Sequence, residues 1–86
     1  MLVNTGMPGD NLESQGCHIS IVEDSVAKCH RRCLAHPECQ SYMYITEAFA
    51  SENCKKNCFL KSLSIEGNTE KAANVVTGPK WCTVEF

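Results

Sequence analysis

Val26-Ala27-Lys28-Cys29-His30-Arg31-Arg32-Cys33-Leu34-Ala35, then His36-Pro37-Glu38-Cys39, then Gln40-Ser41-Tyr42-Met43-Tyr44-Ile45-Thr46, is the stretch that decides the fold. Asp24 or Ser25 stands where a helix N-cap belongs, because a short side-chain oxygen there accepts an orphan backbone N–H. Val26, Cys29 and Cys33 fall at i, i+3 and i+7 and share one face, with Arg31 and Arg32 largely on the other. That cysteine-bearing face must be the buried one. Pro37 stops the helix, since it lacks an N–H and clashes with the preceding turn. Residues 40–46 read as an aromatic, β-branched strand with Tyr42 and Tyr44 on one face and Met43 on the other.

On the N-terminal side, Cys17-His18-Ile19-Ser20-Ile21-Val22 mostly alternates and reads as a strand. Residues 1–13, with Gly, Asn, Asp and a Pro8-Gly9 turn, read as an arm or inter-module linker, and residues 14–86 as one domain. Beyond residue 46, a polar stretch over 47–57 reads as a loop with room for a helical turn. Cys58-Phe59-Leu60-Lys61 restarts a strand, and Ser62 to Lys71 loops back through Gly67-Asn68. Asn74-Val75-Val76-Thr77 is a further strand, broken by Gly78-Pro79, and Lys80 to Phe86 is a last extended segment. One helix and about five strands predict an α+β fold, the helix packed on an antiparallel sheet.

Seven cysteines in 86 residues set the chemical context. A chain this short buries only roughly 60–65% of the surface its unfolded form exposes. Covalent staples are the usual remedy in small secreted modules, so the cysteines point to an oxidising compartment. Formal charge is −2, from 8 Lys and Arg against 10 Asp and Glu, with no block of like sign. That balance argues against nucleic acid, which needs a basic stripe. No stretch approaches the ~18–20 apolar residues of a membrane span, so direct membrane insertion is not expected. The start of the chain lacks the charged, then apolar pattern of a signal peptide, and reads most simply as a module of a longer secreted protein.

The cysteine spacing narrows the pairings without closing them. Cys33 and Cys39 flank a helix stop and a return, which can bring their Cα atoms within the roughly 4.4–6.8 Å a disulfide requires. Cys29 can then reach the strand at Cys58, and Cys17 can join Cys82, leaving Cys54 over. Zinc is a rival: Cys29-x3-Cys33-x2-His36-x2-Cys39 holds enough ligands for a tetrahedral Cys3His site. It lacks the usual Cys-x2-Cys knuckle and leaves three other cysteines unexplained, so no metal is expected. Cysteine-nucleophile catalysis needs a lowered thiol pKa and an oriented base. His18, His30 and His36 are available, and Lys55 and Lys56 flank Cys54, but no third group is spaced to complete a site. The chain is not expected to be an enzyme or to hold a cofactor.

The ordered set Cys29-x3-Cys33-x5-Cys39, Gln40-Ser41-Tyr42-Met43-Tyr44, Cys58-Phe59-Leu60-Lys61 and Gly78-Pro79-Lys80-Trp81-Cys82 resembles a PAN/apple domain over roughly residues 14–86. Thr77-Gly78-Pro79-Lys80-Trp81-Cys82 is similar to the ending of apple modules in the microneme adhesins of coccidian (apicomplexan) parasites. The resemblance implies a helix cradled by a curved, roughly five-stranded antiparallel sheet. It implies Cys29–Cys58 as the helix-to-sheet bond and Cys33–Cys39 as the local one. The family's terminal bond has no cysteine before Cys17 to use, so Cys17–Cys82 is the expected substitute. Cys54 has no counterpart and is expected unpaired, or exchanging with Cys58 for Cys29.

The function implied is extracellular recognition: a secreted adhesive module, delivered through micronemes, that binds a host-cell glycan or protein beside neighbouring apple modules during attachment and invasion. A structural spacer in a tandem array, or a protein-docking apple domain of the plasma-protease type, is the alternative. Trp81, Tyr44, Lys61 and Lys80 are the candidate ligand-binding residues. An aromatic ring offers a flat apolar face to a hexose, and polar neighbours meet its hydroxyls. Against that stand plainer roles: core packing for at least one tyrosine, packing on the Cys82 bond for Trp81, ordinary surface positions for the lysines.

Overall fold

A computed structural model describes residues 2–7, 12, 21–50 and 52–81. Strands β1 (Thr5–Gly6) and β2 (Ile21–Val22) precede helix α1 (Val26–Ala35). Strand β3 (Ser41–Ile45), a 3-10 turn at Glu52–Cys54, and strands β4 (Asn57–Lys61), β5 (Glu70–Lys71) and β6 (Val75–Pro79) follow. The architecture is α+β, with antiparallel pairing throughout. A four-stranded sheet runs in the order β2-β4-β3-β6, and β1 and β5 form a separate two-stranded ribbon. The single sheet of about five strands is thus four strands plus a ribbon among the described residues.

The helix begins where its cap allows. Ser25 is extended, with φ −154° and ψ 160°, and its hydroxyl accepts the Lys28 N–H, a contact typically worth about 0.5–2 kcal/mol. At the other end the His36 N–H donates to Cys33 O and Pro37 follows. Cys29 and Cys33 are fully buried on the inner face. Cys29 is bonded to Cys58 across a Cα–Cα distance of 5.4 Å, and Cys33 to Cys39 across 5.3 Å. One bond fastens the helix to the sheet, and the other fastens its end to the strand entry. With those sulfurs bonded to one another, the Cys3His set has no thiolates to offer a metal.

The strand register divides the core in two. Tyr42 opposes Leu60 and Tyr44 opposes Cys58, so these four side chains lie on the helix side with Cys29, Cys33 and Cys39. Met43 opposes Phe59 and Thr77, and with Ile45 and Val75 it lies on the other side. That second face is also covered. The Leu2 N–H donates to Thr77 O at 2.7 Å and the Thr77 N–H returns to Leu2 O at 3.0 Å. The Thr77 hydroxyl donates to Thr5 O at 2.7 Å. Met7, 2% exposed, seats beside Met43 and Ser41. A Cβ on Gly6 would stand 3.2 Å from the Ala72 Cβ, so a larger residue there would push β1 away by a few tenths of an ångström. Residues 2–7, assigned by composition to an arm, are therefore laid across the sheet.

Two sequence expectations change here. Gly78-Pro79 does not break the last strand: β6 runs through both, with Pro79 opposite Ser41 at its end. A Cβ on Gly78 would stand 2.6 Å from the Tyr42 Cζ, so the glycine makes room for a ring. The terminal proline needs no ladder donor. Cys54 is disulfide-bonded, not unpaired. It packs with the far-side cluster of Ile45, Phe59 and Val75, across the sheet from Cys29, and so does not compete for it. Cys17 and Cys82 lie outside the described residues, and with them the Cys17–Cys82 bond.

Candidate functional site

Of the four candidate ligand residues, Tyr44 and Lys61 belong to the core. Tyr44 is 4% exposed, and its hydroxyl donates to Glu23 O at 2.7 Å. Burial raises its phenol pKa, with the negative charges of Asp24, Glu47 and Glu23 adding to the shift. Lys61 is 1% exposed, its ammonium 5.7 Å from the Phe59 ring centroid. Neither can meet a ligand at the surface. Tyr44 is buried under α1, whereas Lys61 owes its burial to the second cover: β4 would show alternate residues to water if the far face were open, and it is buried along its whole length.

Lys80 and Trp81 sit together where β6 ends, beside the C-terminal turn of α1. Trp81 is 66% exposed, the most exposed of the large apolar side chains described. Lys80 is 7% exposed and held at three atoms. Its N–H donates to Gln40 O at 2.8 Å, its carbonyl accepts from His30 Nε2 at 2.6 Å, and its ammonium donates to His36 O at 2.7 Å. The same ammonium lies 5.5 Å from the Trp81 ring centroid. A carbonyl can only accept, so His30 carries a proton on Nε2. The His30 ring stacks on Tyr42, centroids 4.9 Å apart and 28° from parallel. His36 Nδ1 in turn accepts the Glu38 N–H at 3.1 Å, so that nitrogen is unprotonated.

Among the described residues, surface depressions of about 430, 510 and 590 Å³ open along α1, the first of them lined in part by His36, and beside β1 and β5. Trp81 lines none of these three. Sequence reading named Trp81 and Lys80 as candidates but not the two histidines that contact Lys80. His30 and Lys80 are 50 positions apart, and no local pattern signals a contact that only the packing of α1 beside β6 creates.

Among the described residues, no helix is long and apolar enough to cross a membrane, and no cluster of His, Cys, Asp or Glu is arranged to hold a metal. A helix stapled to an antiparallel sheet defines a small disulfide-bonded α+β module. The chain belongs to the PAN domain family, whose pattern it matches over residues 5–61. PAN domains are adhesive and protein-interaction modules, generally without catalysis, and with the disulfides this points to an extracellular, secreted setting. Comparison with curated proteins gives no match.

Proposed function

We propose that this PAN domain is an adhesive module that attaches to a host-cell surface glycan or protein through a contact centred on Trp81. One observation carries the reading: an indole 66% exposed on a backbone otherwise fixed at every polar atom of its neighbour Lys80. Holding so large an apolar side chain in water is unfavourable, and ordering it in advance lowers the cost of binding. The flat indole face suits the C–H face of a hexose, with Lys80 behind it. The finer assignment follows the Thr77-Gly78-Pro79-Lys80-Trp81-Cys82 ending, which is similar to the tandem apple repeats of the Eimeria microneme protein five. On that reading the module travels through micronemes and acts in invasion beside neighbouring apple modules, whose linkage raises avidity by ~10²–10⁴ over a weak single site.

The test is a glycan-array screen of the oxidised domain, displayed multivalently, with reduced protein as control. Fold-dependent binding to a defined terminal sugar, galactose-type sugars first, is the expected result. A blank array would remove the lectin reading and turn the search to protein partners or to a spacer role.

A further inference from the structure

We propose that His30 is a positioning residue for Trp81, an assignment that rests, for its functional meaning, on Trp81 being the ligand contact. The β6 ladder ends at Pro79 opposite Ser41. Lys80 is the first residue past that pairing, and the backbone at Lys80 sets where the next side chain points. Of the three groups that hold Lys80, Gln40 belongs to the loop entering β3 and His36 to the turn after α1. His30 alone reaches out from the body of the helix.

The helix gives that reach a rigid origin. His30 follows Cys29, whose bond to Cys58 fixes this turn of α1 to β4. The ring is held against Tyr42 by stacking, which sets its plane and aims Nε2 at the Lys80 carbonyl 2.6 Å away. Tyr42 in turn lies over Gly78, where no Cβ intervenes. A continuous path of contacts therefore runs from the disulfide through His30 to the Lys80 carbonyl, whose peptide leads into Trp81. Without the Nε2–H donor the Lys80–Trp81 peptide loses the bond to its carbonyl, leaving Lys80 held through its N–H and ammonium, and Trp81 gains orientational freedom while the sheet and disulfides persist.

Trp81 is the only tryptophan, so time-resolved fluorescence anisotropy reports on it directly and without a ligand. His30→Phe keeps the ring stack and removes the donor; His30→Gln restores a donor of similar reach. In His30→Phe the amplitude of sub-nanosecond depolarisation is expected to rise about twofold, with an unchanged disulfide map, and His30→Gln is expected to return it toward wild type. Equal anisotropy decays in wild type and His30→Phe would overturn the assignment. If the Phe variant does not fold, ¹⁵N NMR of the wild-type imidazoles decides: a proton on His30 Nε2 supports the tie, and a proton on Nδ1 alone overturns it. A separate arm measures multivalent binding to galactosyl-albumin, where His30→Phe is expected to weaken binding about 5-fold through lost pre-organisation. Should Trp81→Ala bind galactosyl-albumin as well as wild type, the reading of Trp81 as that contact fails while the anisotropy result still stands or falls by itself.

Discussion

The two faces of the four-stranded sheet are both sealed, but by different means. On the helix side, α1 and β3 follow one another in the chain, and two disulfides lock Cys29 to Cys58 and Cys33 to Cys39. On the far side, Ile45, Phe59 and Val75 lie beneath a cover that includes Phe49, Ala72 and the strip from Leu2 to Met7. That strip reaches Thr77 from the other end of the sequence. It is held by backbone bonds, the Thr77 hydroxyl, the Asn4 side chain that accepts the Asn74 N–H, and the packing of Met7. The first cover is stapled at Cys29 and Cys33 of the helix itself; the second is remote in sequence and rests largely on packing, with the disulfide-bonded Cys54 at its edge. A residue's burial in β4 depends on both at once.

Removing staples and packing separately sharpens the contrast. The Cys29–Cys58 bond closes 29 residues, and chain entropy gives it about 3.6 kcal/mol; Cys33–Cys39 closes only 6, worth about 2.2 kcal/mol. Paired Cys→Ala variants in urea melts should lose stability in that order. Equal losses would mean that the bonds act through something other than loop closure. Met7→Ala is expected to cost about 2 kcal/mol by opening the far face. A loss below ~0.5 kcal/mol would show that the strip is not a cover. Ser25→Ala, which removes the α1 cap, is expected to cost about 1 kcal/mol.

A pH titration probes the helix side by another route. The folded-state pKa of Tyr44 is raised above its ordinary 10.0, so the unfolded chain gives up this proton first. Its contribution to stability is fully present below pH 10.0 and declines as pH rises through the folded pKa. Absorbance at 295 nm should show Tyr44 ionising later than a free phenol, assigned by comparison with Tyr44→Phe. Two phenols titrating together at the free value would contradict its burial.

The same contrast explains what could be read from the sequence. The cap at Ser25, the Cys29–Cys33 face and the Pro37 stop are contiguous, and α1 is found at Val26–Ala35 where they place it. Tyr42 and Tyr44 share a face as their alternation requires. Lys61 reads as a surface lysine because nothing near it in sequence reveals that its face is covered. Thr5-Gly6 and Glu70-Lys71 are too short and polar to read as strands, and each is one only through the other. Gly78-Pro79 reads as a stop until the Tyr42 ring above it is known. The Trp81 corner lies between these cases: its aromatic was visible, and the His30 and His36 contacts that support it were not.

The most direct measurement compares two exposed apolar residues. Trp81 is 66% exposed just past β6, and Val22 is 60% exposed on β2, where it pairs with Asn57. Both should be changed to alanine in the multivalent oxidised domain, and each assayed for binding to host cells. Trp81→Ala is expected to weaken binding about 10-fold or more while Val22→Ala leaves it near wild type, as for a hot spot against an incidental surface residue. Equal binding by wild type and Trp81→Ala would contradict recognition through this corner.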